Sequence, residues 1–290
     1  MVKKLWIVVL AGLLGLWVTA ACDDGGDGDA DGDADSDSDT DSDTDSDGDG
    51  DGAWPCAQAD TENPSMRLTA LQITAPEALT SLMLQAILDD SINGFRFIWL
   101  VQLDIAGLTM TTGSGRGSDA PSPDSAEFCS VTWNADYPPE SGAITFADNT
   151  VNSAGTIESL DIPVYSETSP DDPLLILPIS LVEISNVRFN ADRTLVGTPN
   201  APSGSNMFAQ SWETDGELTG WISFDDAMAV PIEELGNTLC GLLCGADCAE
   251  VAAGTTTCAE GREPETIPGT DTEGYQLRAN IGAGAVTIAE

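Results

Sequence analysis

The sequence predicts a β-rich α+β fold, a sandwich or a partly open barrel with one N-terminal helix and a disulfide-bonded helical C-terminal segment. Three observations predict it. Short runs of β-forming residues alternate with loops of Gly, Ser and Pro over most of residues 53–290. One early segment, Leu79–Leu88, has apolar residues at helical spacing. Six cysteines accompany these elements, and four of them lie between Cys240 and Cys258.

Local signals predict the helix and the two strands around it. Met66–Thr74 is predicted as a strand. Thr74 and Glu77 then have the spacing of a capping box, with a proline in the first turn. The helix is expected to end near Asn93-Gly94, because glycine commonly follows a helix. Phe95–Ile105 is dense in β-forming residues, which favours a central strand.

The rest of the folded part is predicted to consist mainly of strands and loops, in one domain. Further strands are predicted at Phe128–Ala135, Ala143–Ala147, Thr156–Val164, Leu181–Phe189 and, as a closing strand, Tyr275–Ala289. Loops are predicted at 112–124, 166–173 and 197–206. Met207–Glu213 and Glu217–Phe224 flank an Asp-Gly turn and predict a hairpin. Asp225–Leu243 is predicted to be helical.

The N-terminus has the three parts of an export signal. "MVKK" is basic, and Leu5–Val18 is an apolar run of 14 residues, shorter than the roughly 20 that span a membrane. The small residues Ala20 and Ala21 precede Cys22. The stretch resembles a bacterial lipoprotein signal peptide with its lipobox, although Thr19 stands where leucine is usual.

That resemblance implies removal of residues 1–21, a diacylglycerol on the thiol of Cys22 and an acyl chain such as palmitate on the new amino terminus. Soluble secretion after cleavage near Ala21 and an uncut anchor are the alternatives. Asp23 and Asp24 follow Cys22, and an aspartate there resembles the inner-membrane mark of enteric bacteria. Other lineages sort differently, and the expected location is the cell envelope, at the outer membrane or cell surface rather than the inner membrane.

Residues 22–52 are predicted to be a disordered acidic linker. Every odd-numbered residue from Asp27 to Asp51 is aspartate, with Gly, Ala, Ser or Thr between. Such a run has nothing to bury and repels itself, so it does not offset the entropy of ordering. Its composition is similar to that of linkers behind lipidated cysteines in exported proteins of myxobacteria and their relatives.

The same run contains candidate calcium ligands. Asp43, Asp45, Asp47 and Gly48 match the start of the D-x-D-x-D-G calcium loop, but Trp54 stands where an EF-hand needs glutamate. The run looks closer to thrombospondin-type calcium repeats than to an EF-hand. The candidate ligands are Asp43, Asp45, Asp47, Asp49 and Asp51. A solvated spacer that attracts calcium only diffusely is the alternative.

The six cysteines of the folded part are predicted to form three disulfides, as is typical of an exported chain. They are Cys56, Cys129, Cys240, Cys244, Cys248 and Cys258. If the stretch from Cys240 to Cys248 is helical, its cysteines are too far apart to bond to one another. Of the 15 possible connectivities, Cys248–Cys258 is the first expectation, because it closes a local loop, and Cys56–Cys129 is the second. A C-x3-C-x3-C cluster site similar to that of radical-SAM enzymes is the rival.

Charge and absences exclude several functions. The net charge is −40, which disfavours nucleic acid and anionic lipid surfaces as partners, except through a lipid anchor. The chain has no histidine, and Lys3 and Lys4 are its only lysines. These absences exclude Ser-His-Asp and Cys-His catalysis, the commonest zinc sites and Schiff-base lysines.

Three carboxylates and four tryptophans each allow both a functional and a structural interpretation. Glu213, Asp215 and Glu217 form E-x-D-x-E, which resembles the catalytic strand of laminarinase-type glycoside hydrolases. The intervening Thr214 and Gly216 favour a turn instead. The tryptophans at 99, 133, 212 and 221 lie on predicted strands, where they either fill a core or stack on sugars.

The sequence therefore predicts a membrane-anchored lipoprotein without catalytic residues, serving as a binding or envelope-structural module. A carrier of lipid or another hydrophobic ligand and a carboxylate-dependent glycoside hydrolase are the alternatives. A glycan or a hydrophobic molecule is the expected ligand class, and calcium is the only candidate cofactor.

Overall fold

The computed structural model describes residues 54–116, 126–166, 169–199, 212–232 and 236–289, and strands dominate them. The strands are β1 (Ser65–Ala75), β2 (Trp99–Asp104), β3 (Thr109–Ser114), β4 (Ser130–Thr132), β5 (Glu140–Ala147), β6 (Thr150–Ser153), β7 (Ile157–Ser166), β8 (Ser169–Ser185), β9 (Val187–Arg188), β10 (Leu195–Val196), β11 (Thr198–Pro199), β12 (Trp212–Glu213), β13 (Glu217–Ser223), β14 (Pro231–Ile232), β15 (Asn237–Thr238), β16 (Glu265–Thr266), β17 (Glu273–Ala285) and β18 (Thr287–Ala289). The helices are α1 (Leu82–Asn93), α2 (Phe224–Ala229), α3 (Leu239–Cys244) and α4 (Cys248–Ala252).

A 12-stranded antiparallel sheet curls into a partly open barrel, which confirms the predicted fold class. Its order is β7-β8-β13-β17-β1-β2-β3-β5-β6-β9, with β10 and β16 also paired to β17. The end strand β7 returns towards β2: Phe97 and Val164 form a backbone bridge, and the Tyr165 N–H donates to the Arg96 carbonyl at 2.8 Å. A 17-residue β8 includes Ser169–Pro173, where a loop was expected.

The strand expected to close the sheet is instead its centre. β17 pairs with β1 from Met66 to Ala75 on one side and with all of β13 on the other. Most of its residues are buried. Two-sided pairing satisfies the backbone N–H and C=O groups of a strand that is hidden from water.

Two apolar clusters lie on opposite faces of the sheet. Successive side chains of a strand point to opposite faces, and residues around β2 follow this rule. Phe97 and Trp99 belong to the large cluster inside the barrel. Ile98 and Leu100 belong to a smaller cluster on the outer face, together with Phe95, Phe128 and Val286. The outer cluster is covered by the first and last described segments of the chain.

Helix α1 begins later than the sequence predicts. Thr74 still belongs to β1, and Glu77–Leu79 forms a 3-10 turn, so the predicted capping box is absent. Ser81 is the N-cap instead, since its hydroxyl accepts the Leu84 N–H at 3.3 Å. The predicted end is correct, because Gly94 caps the helix and its N–H donates to the Asp90 carbonyl at 2.8 Å.

The C-terminal helical segment is disulfide-bonded as predicted. Its helices and its cysteine pairing differ from those expected from the sequence. Helices α2 and α3 are separated by the β14–β15 pair. Cys240 is bonded to Cys248, and Cys244 to Cys258, so the expected Cys248–Cys258 pair is wrong. The helix ends at Gly245, which has a left-handed φ of 73°. The chain therefore turns back before α4, which brings Cys248 to Cys240.

Candidate functional site

The folded chain begins with a segment that crosses the outer face of the sheet. We call this segment, Trp54–Pro64, the strap. The Trp54 indole Nε1 donates to the Ala285 carbonyl at 2.7 Å, and its ring contacts Phe128 with 5.3 Å between centroids. Two residues later, Cys56 is bonded to Cys129 with 5.4 Å between Cα atoms, as the sequence predicts. The strap joins the start of the domain to β17, the strand at the centre of the sheet.

Hydrogen bonds hold the remainder of the strap. The Pro64 and Glu62 carbonyls accept the N–H groups of Leu103 at 3.0 Å and Ile105 at 3.2 Å. The Gln58 side chain donates to the Arg193 carbonyl at 3.0 Å. These bonds attach the strap to the C-terminal end of β2 and to the turn before β10.

A local turn closes the strap before β1. Hydrogen bonds from the Asn63 side chain and from the N–H of Glu62 lower the pKa of Asp60 below its ordinary value. The Arg193 guanidinium donates to the Thr61 carbonyl. The Asp60 carboxylate and the largely buried Arg193 side chain therefore hold the strap in place.

Arg67 lies beneath the strap among three aromatic rings. Its side chain is only 2% exposed. Its guanidinium carbon lies 4.0 Å from the ring centre of Phe95, 5.4 Å from that of Phe128 and 5.6 Å from that of Trp54. No carboxylate of the described residues forms an ion pair with it. The rings therefore surround a cation whose usual partners are missing.

The electrostatic balance at Arg67 is unusual. One terminal nitrogen donates to the Ile92 carbonyl at 3.3 Å, while Nε is buried without a partner. Burial lowers the pKa of Arg67 to about 9, so the group is charged at neutral pH. A desolvated cation–π contact contributes about 2 kcal/mol, and loss of hydration costs several kcal/mol. The rings offset part of that cost.

Sequence reasoning did not identify this cluster. The available signal was the single arginine in the otherwise uncharged strand Met66–Thr74. Its aromatic neighbours come from positions 54, 95 and 128, which only the folded chain brings together. The alternation of β1 places Arg67 on the face opposite Met66 and Leu68, which line the barrel interior.

The barrel interior contains a small apolar cavity. Its volume is about 30 Å³, and Trp99, Met110 and Ile281 are among its walls. An engineered apolar cavity that binds benzene has about 150 Å³, several times this volume. The Thr112 hydroxyl at the wall is already used, since it accepts the Trp99 Nε1–H at 2.8 Å and donates to the Leu100 carbonyl. The cavity as described does not fit an acyl chain.

The three carboxylates of E-x-D-x-E do not share one strand. Glu213 ends β12 and pairs with Thr198 of β11. Glu217 begins β13, opposite Asn280 and Ser185. Asp215 lies between them, and its N–H donates to the Ile281 carbonyl at 3.0 Å. Within the described residues of the expected hairpin, 212–224, β12 pairs with β11, whereas β13 pairs with β8 and β17, so they do not pair with each other.

The described tryptophan side chains lie in the two apolar clusters or pack against them. Trp99 and Trp221 are 1% and 8% exposed. Trp133 and Trp54 are half-buried and pack against the outer cluster. Trp212 lies on β12, and its side chain is outside the described part. These positions favour the core-packing alternative over a row of exposed rings.

Metal and lipid sites fall mostly outside the described residues. Among the residues described, no three His, Cys, Asp or Glu side chains converge as metal ligands do. The candidate calcium ligands between Asp43 and Asp51 lie outside this part, as does Cys22. Within it, no helix has the length and apolarity needed to cross a bilayer.

No protein-family model, curated protein or solved structure matches this chain.

Proposed function

We propose that this protein is an exported lipoprotein, anchored in a membrane through Cys22 and carrying a non-enzymatic binding or envelope-structural domain on an acidic linker. The observation that carries the proposal is the strap. The first described residues after the aspartate run are fixed to the domain by the Cys56–Cys129 disulfide and by the Trp54 contacts. A firm attachment at this point suits a domain held by its N-terminus.

The lipid supplies the membrane affinity that the charge opposes. Each buried methylene of an acyl chain contributes about 0.8 kcal/mol, and one chain alone binds only reversibly. Acylation of both the thiol and the amino group of Cys22 gives a stable anchor. The linker then sets the distance from the membrane. A flexible chain of this length averages about 30 Å between its ends, and repulsion between its aspartates lengthens it.

The disulfides support export. All six cysteines of the folded part are paired, and disulfides persist mainly in oxidising compartments. The acidic surface suits the same location, because high net charge keeps an exposed domain soluble. The outer membrane or the cell surface is the proposed location.

A binding or structural role fits the absence of a catalytic arrangement among the described residues. The chain has no histidine, and the acids of its best carboxylate motif lie on separate strands. Glycans and hydrophobic molecules are the ligand classes to test.

Native mass spectrometry of protein extracted from its host membranes tests the proposal. The expected mass begins at Cys22, includes acyl groups and is six hydrogens lighter than the reduced chain. The variant Cys22→Ser is expected in the soluble fraction without acyl groups. A wild-type mass without acyl groups would overturn the anchor. A sugar or lipid that leaves only on unfolding would identify the ligand class.

A further inference from the structure

We infer that the Cys56–Cys129 disulfide, at the start of the strap, is the mechanical junction between linker and domain: tension on the linker enters at Cys56 and passes directly to Cys129. Residues 57–128 are then bypassed by the force. This inference depends on the proposed tether function, because an untethered domain bears no such tension.

The disulfide defines the path. Cys56 and Cys129 are 73 positions apart in the chain and 5.4 Å apart between Cα atoms. The bypassed loop contains β1, α1, β2 and β3. β1 lies between β17 and β2 in the middle of the sheet. Without the disulfide, tension on the linker would reach these four elements first. The disulfide therefore removes them from the path of the force.

Without the disulfide, tension would reach β1 through the strap. Between Cys56 and Ser65, the strap is held by hydrogen bonds such as Leu103 N–H to the Pro64 carbonyl. Bonds of this kind contribute about 0.5–1.5 kcal/mol each, and a segment pulled from one end breaks them in succession. The chain would then load Ser65, the first residue of β1.

The contacts of Trp54 protect this junction. Its indole covers Gly284 and donates to Ala285, so the chain is fixed on the sheet before it reaches Cys56. Cys56 itself is 3% exposed. Thiol–disulfide exchange requires access to a sulfur atom, so burial closes the Cys56 side of the bond to external thiols, while Cys129 is partly buried.

From Cys129, the tension passes to the C-terminal end of the domain. Cys129 directly precedes β4, which pairs in parallel with β18. The outer cluster contains Cys56, Phe128, Val131 and Val286. The tether therefore pulls on a compact cluster built from both ends of the folded chain.

Single-molecule stretching of the full mature chain, residues 22–290 with Cys22→Ser, tests the inference. Peptide tags at both ends carry the handles. For the wild-type cysteines we expect one main unfolding event, with residues 57–128 missing from the extension gained. The variant Cys56→Ala/Cys129→Ala is expected to gain about 250 Å more, from 73 residues at about 3.3–3.6 Å each. Its first event should occur at lower force and release about 30 Å as the strap detaches.

The matched control is Cys240→Ala/Cys248→Ala, which removes a disulfide of the large cluster and leaves Cys56–Cys129 in the outer cluster intact. It should show no early release. If the strap variant fails to fold, a phosphine reductant is added to wild-type molecules already unfolded under tension, where the sulfur atoms are accessible. Reduction of Cys56–Cys129 is then expected as a step of about 250 Å, distinct from the shorter steps of the two C-terminal disulfides.

Two results would overturn the inference: a wild-type extension that already includes residues 57–128, or a strap variant that unfolds at unchanged force without the early event. Because the handles replace the lipid, neither result bears on acylation. Conversely, an unlipidated native mass would leave the force measurement unaffected.

Discussion

Trp54 covers Gly284 of β17, and the indole occupies the space that a side chain at position 284 would need. A Cβ built on Gly284 would overlap the Cε2 and Cζ2 atoms of the ring. Gly284 also pairs with Arg67 across the sheet. A glycine near the end of a strand thus lets an aromatic residue from the other end of the domain lie against the backbone.

We expect Gly284→Ala to displace Trp54 and to lower the free energy of unfolding by about 1–3 kcal/mol, as overpacking of a filled site does. Urea unfolding measures the change. Gly155→Ala is the control, because a Cβ there meets nothing within 4 Å, and it should change stability by less than about 0.5 kcal/mol. Equal effects of the two substitutions would contradict the packing argument.

Substitutions of Arg67 should separate its shape from its charge. Arg67→Met keeps an unbranched apolar chain and removes a buried cation, so we expect stability within about 1 kcal/mol of the wild type, or higher. Arg67→Lys keeps the charge but loses the flat group that stacks 4.0 Å from Phe95, and we expect a loss of about 2–3 kcal/mol. Chemical denaturation ranks the three proteins. A Met variant less stable than the Lys variant would show that the charge itself stabilises the cluster.

The chain's three tyrosines should ionise late in the folded protein. Burial, followed by repulsion from Glu273, raises the pKa of Tyr275 to about 12. Burial is also the main cause that raises the pKa of Tyr137 and of Tyr165. In the unfolded chain all three should titrate near 10, so the native absorbance of phenolate should develop above that pH, with one step near 12.

The sign of the linked stability follows from these directions. A folded pKa above the unfolded value stabilises the protonated form, so the contribution of Tyr275 is present below pH 10 and is lost as the pH rises towards 12. Tyr275→Phe should remove the last absorbance step and weaken the alkaline loss of stability. A native titration identical to that of the unfolded chain would contradict the described burial.

Calcium binding by the linker is expected to be diffuse. Condensation on 15 aspartates weakens as salt screens the charges. Calorimetric titration should therefore give heats that disappear at high ionic strength, and two triple variants should lose equal amounts: Asp43→Asn/Asp45→Asn/Asp47→Asn and Asp27→Asn/Asp29→Asn/Asp31→Asn. A saturable site removed only by the first variant would instead establish a calcium loop.

Local patterns predict elements of this fold well where burial follows the strand period. Met66–Thr74 lies within β1, which extends one residue further at each end, and Phe95–Ile105 contains β2. Both predictions succeed because alternating or continuous apolar residues indicate a strand without reference to its partners. The start of α1 was less predictable. Thr74 and Glu77 have capping-box spacing, but pairing of β1 with β17 keeps Ala75 in the sheet, so tertiary pairing overrides the local signal.

The candidate site was largely beyond the reach of the sequence. The Cys56–Cys129 pair was expected, yet the role of Arg67 depends on rings that are 13, 28 and 61 residues away in the chain. The prediction of the cysteine pairs near the C-terminus was wrong for a similar reason. The prediction assumed one helix through Cys240 and Cys248, whereas the left-handed residue Gly245 ends α3 and reverses the chain.

By itself, the sequence determined the β-rich class, the use of all six folded-part cysteines in disulfides and the end of α1, because composition, compartment and caps act over short distances. It also predicts the export signal and linker, which depend on local composition. Only the tertiary structure decided that Glu273–Ala285 lies at the centre of the sheet, that Trp54 packs on Gly284 and that Arg67 is buried among aromatic rings. These outcomes depend on which distant segments exclude water from one another, and a residue's near neighbours in the chain do not specify that choice.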